Sequence, residues 1–520
     1  MPRKELIDES TAEPCTNLAL DTMKKEKQAL IFVNTKRSAE KVAEDISKSI
    51  KTEDSELTKL SEKILKILSR PTKQCERLAK CIKKGIAFHH AGLTHKQKEI
   101  IEDSFRNRKI KIISCTPTLA LGVDIPAFRT IIRDVKRYGG TYGLTYIPVL
   151  EFLQMAGRSG RPKYDSYGEA IAISSTKPEK KKIYDKYVLG EPEEIFSKLA
   201  VEPVLRTYLL SLISTRYVQT KNQIIDFFEK TFWAYQFKDM DKLTFIIEKM
   251  LDLLEEWEFI QSSQKEDFVS GDELLKDIKY KPTILGKRVA ELYIDPLTAY
   301  NLISSVRMAS SRRTRTFSFL QTVCHSLEMR PLLKVKAKEF DLMQEKLAEY
   351  EHYLLELEPS LYEPEYEDFI NSFKTALMLQ EWIDEKDEEF LMEKYNVRPG
   401  ELRAKLNRAD WLLYATAELT RILHFQKILK DINKARVRVK YGVKEEILPL
   451  LKLKDIGRVR ARKLFRNSIK DLGDVRKASL TTLSQILGPK IANSIKDQMG
   501  DIDKQVPKGK RTGQISLGKY

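Results

Sequence analysis

Two arginines stand three positions apart in QMAGRSGRP, residues 154–162, at Arg158 and Arg161. A guanidinium is a planar fork of N–H donors that matches the oxygens of a phosphate, so this spacing points to phosphate recognition. Upstream, TPTLALGVDIPA (116–127) offers the hydroxyls of Thr116 and Thr118, and Gly122 permits close main-chain approach. Asp124 adds a carboxylate suited to ribose hydroxyls or to a metal-bound water. LIFVNTKRSAE (30–40) carries Asn34, Thr35 and Arg37, all able to hold a phosphate backbone, and FHHAGL (88–93) lies between the two. Taken singly each stretch has an ordinary reading: a Thr-Pro-Thr turn is usually only a turn, and paired histidines beside a strand are usually packed.

These residues need a scaffold, and the alternation around them predicts one. QALIFVN (28–34), IAFHHA (86–91), KIIS, RTIIRDV and EAIAISS read as buried strands, separated by amphipathic helices from about 36 to 84 and over THKQKEIIEDSFRNRK. Thr94 with Gln97 forms a capping box that opens the last of these. Strands alternating with helices imply a parallel sheet, and ligands gather at the carboxyl ends of such strands. The expected fold class is an α/β RecA-like parallel-sheet domain followed by mainly α domains. Residues 191–290 show three helical stretches and then a small β-ribbon, the pattern of a winged helix. Residues 291–440 are helical almost throughout, punctuated by Pro331, Pro359, Pro364 and Pro399, and several short helices follow over 446–500.

The totals restrict the class of protein. A chain of 520 residues is too long for one core. No apolar run is long enough to cross a bilayer, and the polar start MPRKELIDES has no signal core, so a cytoplasmic protein is expected. Cys15, Cys75, Cys81, Cys115 and Cys324 are scattered and complete no zinc set, which predicts free buried thiols. The net charge of +17 predicts a polyanionic partner, and more than half of the excess falls in residues 445–520.

NTKRSAE, FHHAGL, TPTLALGVDIPA and QMAGRSGRP, in that order, resemble motifs IV, IVa, V and VI of superfamily 2 helicases of the Ski-type branch. TILGKRVAELYIDP, KTALMLQEWIDEKDEEFLMEKY and IGRVRARKLF are similar to the winged-helix, ratchet and helix-hairpin-helix parts of the archaeal Hjm DNA helicases, related to HELQ. The resemblance covers essentially residues 1–510. It implies a second RecA-like domain over 1–190, a winged helix over 191–290, a helical ratchet over 291–445, a helix-hairpin-helix domain over 446–503 and a basic tail over 504–520. Ser159 stands where the family usually has alanine, and Asp124 where asparagine is common.

The same resemblance implies roles. Arg158 and Arg161 become fingers at the γ-phosphate of ATP, positioned by Gln154, with Gly122 and Asp124 on the nucleotide side. Asn34, Thr35, Arg37, Thr116 and Thr118 become contacts to the DNA backbone. The segment KRYGGTYGLTYIP (136–148), with Tyr142 near its turn, takes the place of the hairpin that splits the duplex; an ordinary surface hairpin is the alternative. GELRAKLNRADWLLYATAELTRIL (400–423) resembles the ratchet helix, which makes Trp411 a platform for stacked bases or else a core residue. Ala404 stands there where an arginine is frequent, with Arg403 and Arg408 nearby.

In IGRVRARKLF, Gly457 suits a tight turn, Ile456 and Val459 can anchor it, and Arg458, Arg460 and Arg462 can meet phosphates; a solvated basic face is the alternative. The tail residues Gln514, Leu517 and Tyr520 have the spacing of a PCNA sliding-clamp peptide. ATP and Mg²⁺ are the implied cofactors, yet no Gly-x-x-x-x-Gly-Lys-Ser/Thr loop and no Asp-Glu-x-His box occurs in the 520 residues. Those ligands are therefore expected on a first RecA-like domain, in cis or in trans, and this chain alone is expected to be inactive. Two other classes stay open: a non-enzymatic remnant that tethers DNA to a clamp, and part of a Ski-type RNA helicase.

Overall fold

The computed structural model describes residues 5–51, 54–68, 70–121, 123–138, 143–160, 165–263 and 278–505. The chain divides into two compact units. The first comprises residues 1–196 together with 388–404, and the second comprises 197–387 with 405–520.

The first unit is built on a five-stranded parallel sheet. Its strands are β1 (Ala29–Phe32), β2 (Ile86–His89), β3 (Ile112–Cys115), β4 (Arg129–Ile132) and, after a hairpin, β7 (Glu169–Ala172), in the order β2-β3-β1-β4-β7. All four registers are parallel, with Ala29 beside both Ile112 and Arg129. ALIF, IAFH, IISC and RTII are buried at every position, as expected of strands covered by helices on both faces. Only the edge strand β7 is half exposed. Each fully buried Ile, Leu or Phe contributes roughly 1.5–3 kcal/mol, so this centre outweighs any surface contact.

Threonines start the helices that cover the sheet. Thr35 accepts from the Ser38 N–H, Thr72 from Cys75 and Thr94 from Gln97, and the Gln97 side chain returns to Thr94 to complete the capping box. The hairpin pairs β5 (Lys136–Tyr138) with β6 (Leu144–Tyr146) in antiparallel fashion. Tyr146 lies beneath three ammonium groups, those of Lys136, Lys182 and Lys186, at 4.9, 5.0 and 5.8 Å from its ring centre.

The second unit is mainly helical. Four helices precede its ribbon rather than three, because Phe232–Phe237 forms a short helix of its own between Lys221–Glu229 and Met240–Glu256. The ribbon pairs β8 (Ile260–Ser262) with β9 (Tyr280–Pro282), and helix Ile284–Leu292 follows it. Longer helices then pack together, among them Glu365–Ile383 and Gln426–Tyr441. Gly442 ends the latter at φ +65°, where a Cβ would stand 2.6 Å from the Trp382 ring. A separate core of Val443, Ile447, Leu464, Val475, Leu483 and Ile495 closes the small helical end of the unit. All five cysteines are free and buried. Among the described residues no helix is long and apolar enough to cross a membrane.

Candidate functional site

Because the sheet is parallel, the segments that follow β1, β2 and β3 emerge at one edge. Asn34, Thr35 and Arg37 follow β1, Ala91 follows β2, and Thr116 and Thr118 follow β3; together they line one pocket. Asn34 is fixed from two sides: its main-chain N–H donates to Asp134 at 3.1 Å, and its side-chain amide donates to the Lys136 carbonyl. Thr116 and Thr118 share a hydrogen bond of 2.9 Å across the short turn Pro117–Ala120. Arg37 is exposed and has no ion-pair partner among the described residues. Four charged residues without a sequence prediction also border the pocket: Lys36, Arg137, Glu151 and Arg398. Lys36 pairs with Glu401, and Arg137 pairs with Glu151 at 2.8 Å.

Arg158 stands elsewhere, on the loop that follows helix Val149–Ala156. The chain runs from Thr116 through Ala120 to Ala127 at the amino end of β4, and the arginine loop is stitched to that run. The Ala127 N–H donates to the Arg158 carbonyl at 2.9 Å, and the Gly160 N–H donates to the Ala127 carbonyl at 2.7 Å. Gly168 packs against Gly160 so tightly that a Cβ on it would lie 2.2 Å from the Gly160 nitrogen. The Arg158 side chain is half-buried, and its Nε donates to the Ala120 carbonyl at 3.1 Å, with Nη2 on the same oxygen. That partner is neutral, and among the described residues no carboxylate pairs with the charge.

Gln154 is half-buried on helix Val149–Ala156, and Asp124 is exposed. The Glu193 carboxylate caps that helix by accepting the Val149 and Leu150 N–H groups at 2.6 and 3.1 Å. Gly122, Tyr142 and Arg161, and the tail residues Gln514, Leu517 and Tyr520, lie outside the described residues.

An anionic nucleotide fits this arrangement on the arginine side: an anchored but uncompensated guanidinium suits a polyphosphate. Among the described residues no group of three or more His, Cys, Asp or Glu could hold a metal ion.

The paired histidines are packed. His90 is fully buried, and its Nδ1 accepts the Gly92 N–H at 3.0 Å, which places the ring proton on Nε2 facing Glu40 at 3.2 Å. Burial lowers the His90 pKa against the pull of Glu40, so the ring is neutral at neutral pH. Glu40 also accepts from Arg77, Gln74 and Arg398 at 2.7, 3.1 and 3.1 Å. Burial alone would raise the Glu40 pKa, but the bonds from His90 and Arg398 overcome it and hold the value at about 2.

A carboxyl held below its ordinary value stabilises the fold above that ordinary value, near 4.5, and loses the contribution as pH falls toward 2. Urea midpoints of the first unit, measured from pH 5 to pH 2, should therefore fall less steeply in Glu40→Gln than in the parent. Parallel curves would remove Glu40 from the acid response.

In the second unit, Trp411 lies on helix Pro399–Ile422, half-buried, with its indole N–H donating to the Leu292 carbonyl at 3.2 Å. Arg408 is turned to the Arg330 carbonyl at 2.7 Å. The three arginines of the basic turn lie on helix Arg458–Arg466 and do not converge. Arg458 lies over the Trp382 ring and donates to the Lys386 carbonyl, while Arg460 donates to the Asp455 carbonyl. Arg462 is held between Glu385 and Glu446 at 2.5 and 2.6 Å.

Two expectations here need correction. Val459 is 55% exposed and anchors nothing, because Ala461 and Leu464 are the residues of that helix facing the core. Gly457 is extended, at φ −101°, and a Cβ there would meet nothing within 4 Å, so the turn does not require glycine.

Comparison with known proteins agrees with these features. Residues 57–163 match the helicase conserved C-terminal domain, and residues 317–442 match domain 4 of archaeal helicases. The sheet domain with its stitched arginine loop, joined to that helical domain, defines the class as a helicase. The ATP-dependent DNA helicase Hel308 of Methanococcus vannielii is 37% identical over 93% of this chain and 67% of its own length. The Hel308 helicase of Pyrococcus abyssi is 37% identical over 93% of the chain and 65% of its own length, and that of Methanocella arvoryzae 34% over 99% and 68%. The chain belongs to the Hel308 family of ATP-dependent DNA helicases, and it spans about two thirds of the length of these relatives.

Proposed function

We propose that these residues form the C-terminal portion of a 3′-to-5′ DNA helicase that unwinds forked or stalled replication structures in repair and recombination. The observation that carries this reading is the turn Thr116–Ala120. Its hydroxyls border the pocket beside Asn34, Thr35 and Arg37, and its last carbonyl receives Arg158. One short segment thus links this pocket to a guanidinium suited to a nucleotide.

In this reading bound ATP with Mg²⁺ would supply a phosphoryl group whose oxygens carry negative charge. Arg158 and Arg161 face that charge, Gln154 orients them, and Gly122 and Asp124 line the nucleotide side. Asn34, Thr35, Arg37, Thr116 and Thr118 hold the DNA backbone, which sets position rather than sequence. The hairpin with Tyr142 splits the duplex, and Trp411 stacks against the released strand. Arg458 and Arg460 meet phosphates at the basic helical end; Arg462 does so only by leaving its two carboxylates. The layout is a RecA-like domain over 1–190, a winged helix over 191–290, a ratchet over 291–445, a helix-hairpin-helix over 446–503 and a tail over 504–520 that reaches a sliding clamp.

The phosphate loop and the Mg²⁺ ligands belong to a first RecA-like domain outside the 520 residues. The 520-residue chain is accordingly expected to bind forked DNA with steep salt dependence and to show no DNA-stimulated ATP turnover. Adding a phosphate-loop domain of the family, in cis or in trans, should restore turnover and strand separation. Robust turnover by the chain alone would overturn the reading.

A further inference from the structure

Residues 388–404 belong to the sheet-bearing unit although they lie far downstream of it in the chain. Leu391, Val397 and Leu402 are buried, and main-chain contact fixes the stretch around Gly400. The Gly400 N–H donates to the Gly92 carbonyl at 3.0 Å, and a Cβ on Gly400 would stand 2.3 Å from the Leu93 carbonyl oxygen. A Cβ on Gly92 would in turn stand 2.3 Å from Cδ of Arg398. The aliphatic stem of Arg398 therefore lies flat across the turn after β2, and its head borders the pocket that also holds Arg37, Thr116 and Thr118.

The guanidinium is aimed by one partner. Its Nε donates to Glu40, 358 positions away in sequence, at 3.1 Å. Among the described residues this is its sole side-chain hydrogen bond, which leaves the four N–H groups of the two Nη nitrogens for a ligand. Glu40 is itself buried and oriented by neutral His90 and by Arg77. A carboxylate gripping one edge of an arginine while the fork stays open is a way to present that fork to a second anion.

We propose that Arg398 is a further phosphate-binding residue of this pocket, with Glu40 as its positioning residue, and that the ligand is a backbone phosphate of single-stranded DNA. This rests on the reading of the pocket as a DNA-backbone site. The arm 388–404 thereby lends the pocket a cation beyond the Lys36 and Arg37 of its own motif.

The test is a salt series of binding to a labelled single-stranded oligothymidylate, using the whole chain and its variants Arg398→Gln, Arg398→Lys and Arg37→Ala. Arg398→Gln should weaken binding about tenfold at low salt. It should also flatten the plot of log affinity against log salt by about 0.7, the amount for one lost phosphate contact on a single strand. Arg398→Lys should restore most of the slope. If Arg398→Gln merely loosens the arm, the active fraction drops but the slope does not, and an unchanged slope overturns the proposal. If Arg37→Ala flattens the slope and Arg398→Gln does not, Arg398 alone is excluded. If neither does, the pocket is not a DNA-backbone site.

Discussion

Replacing Arg158 with alanine should lower DNA-stimulated ATP turnover by about 10³-fold or more, the scale of removing a finger that faces transferring phosphate. Affinity for single-stranded DNA should change by less than about twofold, because Arg158 does not line the pocket of Asn34, Thr35, Arg37, Thr116 and Thr118. The assay uses the chain joined to a phosphate-loop domain of the family. The magnitude follows from how the side chain is held. Its contact is to a neutral carbonyl at Ala120, so its charge is not spent within the fold, yet the bond and the stitched main chain at Ala127 fix its direction. Little rearrangement is left to pay at the moment of transfer. Arg158→Lys should rescue little, since an ammonium keeps the charge but not the fork. Turnover within tenfold of the parent in Arg158→Ala would remove it from the nucleotide site.

Much of the sheet unit was legible in the residues. ALIF, IAFH, IISC and RTII are short apolar runs bounded by helical periodicity, and their burial on both faces is the reason the runs are continuous. Thr94 and Gln97 announce a helix start through local hydrogen bonds alone, so local spacing suffices. The pocket of Asn34, Thr35, Arg37, Thr116 and Thr118 was legible for a topological reason: segments following neighbouring parallel strands must meet at one edge.

Arg398 was not legible, because its approach depends on main-chain contact between Gly92 and Gly400, which leaves no periodic trace. The engagement of Arg462 was missed for a related reason. Its partner Glu385 comes from a different stretch of the unit, and a count of charges along IGRVRARKLF cannot see it. Val459 was misplaced because a hydrophobic residue beside a turn faces the core only if the helix phase allows it. The short helix Phe232–Phe237 was merged with its neighbours since six residues carry too little periodicity to stand out.

Replacing Arg129 with alanine should cost the first unit about 3–5 kcal/mol, the scale of breaking a buried ion pair by removing one partner. Arg129 is 1% exposed, and its guanidinium is enclosed by two carboxylates, Asp21 at 2.8 Å and Glu169 at 2.6 Å, with Thr22 and the Leu18 carbonyl as further acceptors. Glu169 is its register partner on β7, and Asp21 lies on helix Pro14–Lys24, so one side chain fastens that helix and the edge strand to β4. Alanine would leave the part-buried Glu169 without its cation and Asp21 with Lys25 alone, at 3.1 Å. Arg129→Met combined with Asp21→Asn and Glu169→Gln should recover most of the loss, because no uncompensated charge remains.

The consequence reaches the loop that carries Arg158. Gly168 immediately precedes Glu169 and presses on Gly160, so slackness at the start of β7 frees the loop that carries Arg158. Arg129→Ala should therefore lose ATP turnover at temperatures where its DNA binding persists, and the triple variant should regain it. A urea midpoint for Arg129→Ala equal to that of the parent would show that the carboxylates find other partners and that the loop is held by its main-chain bonds alone.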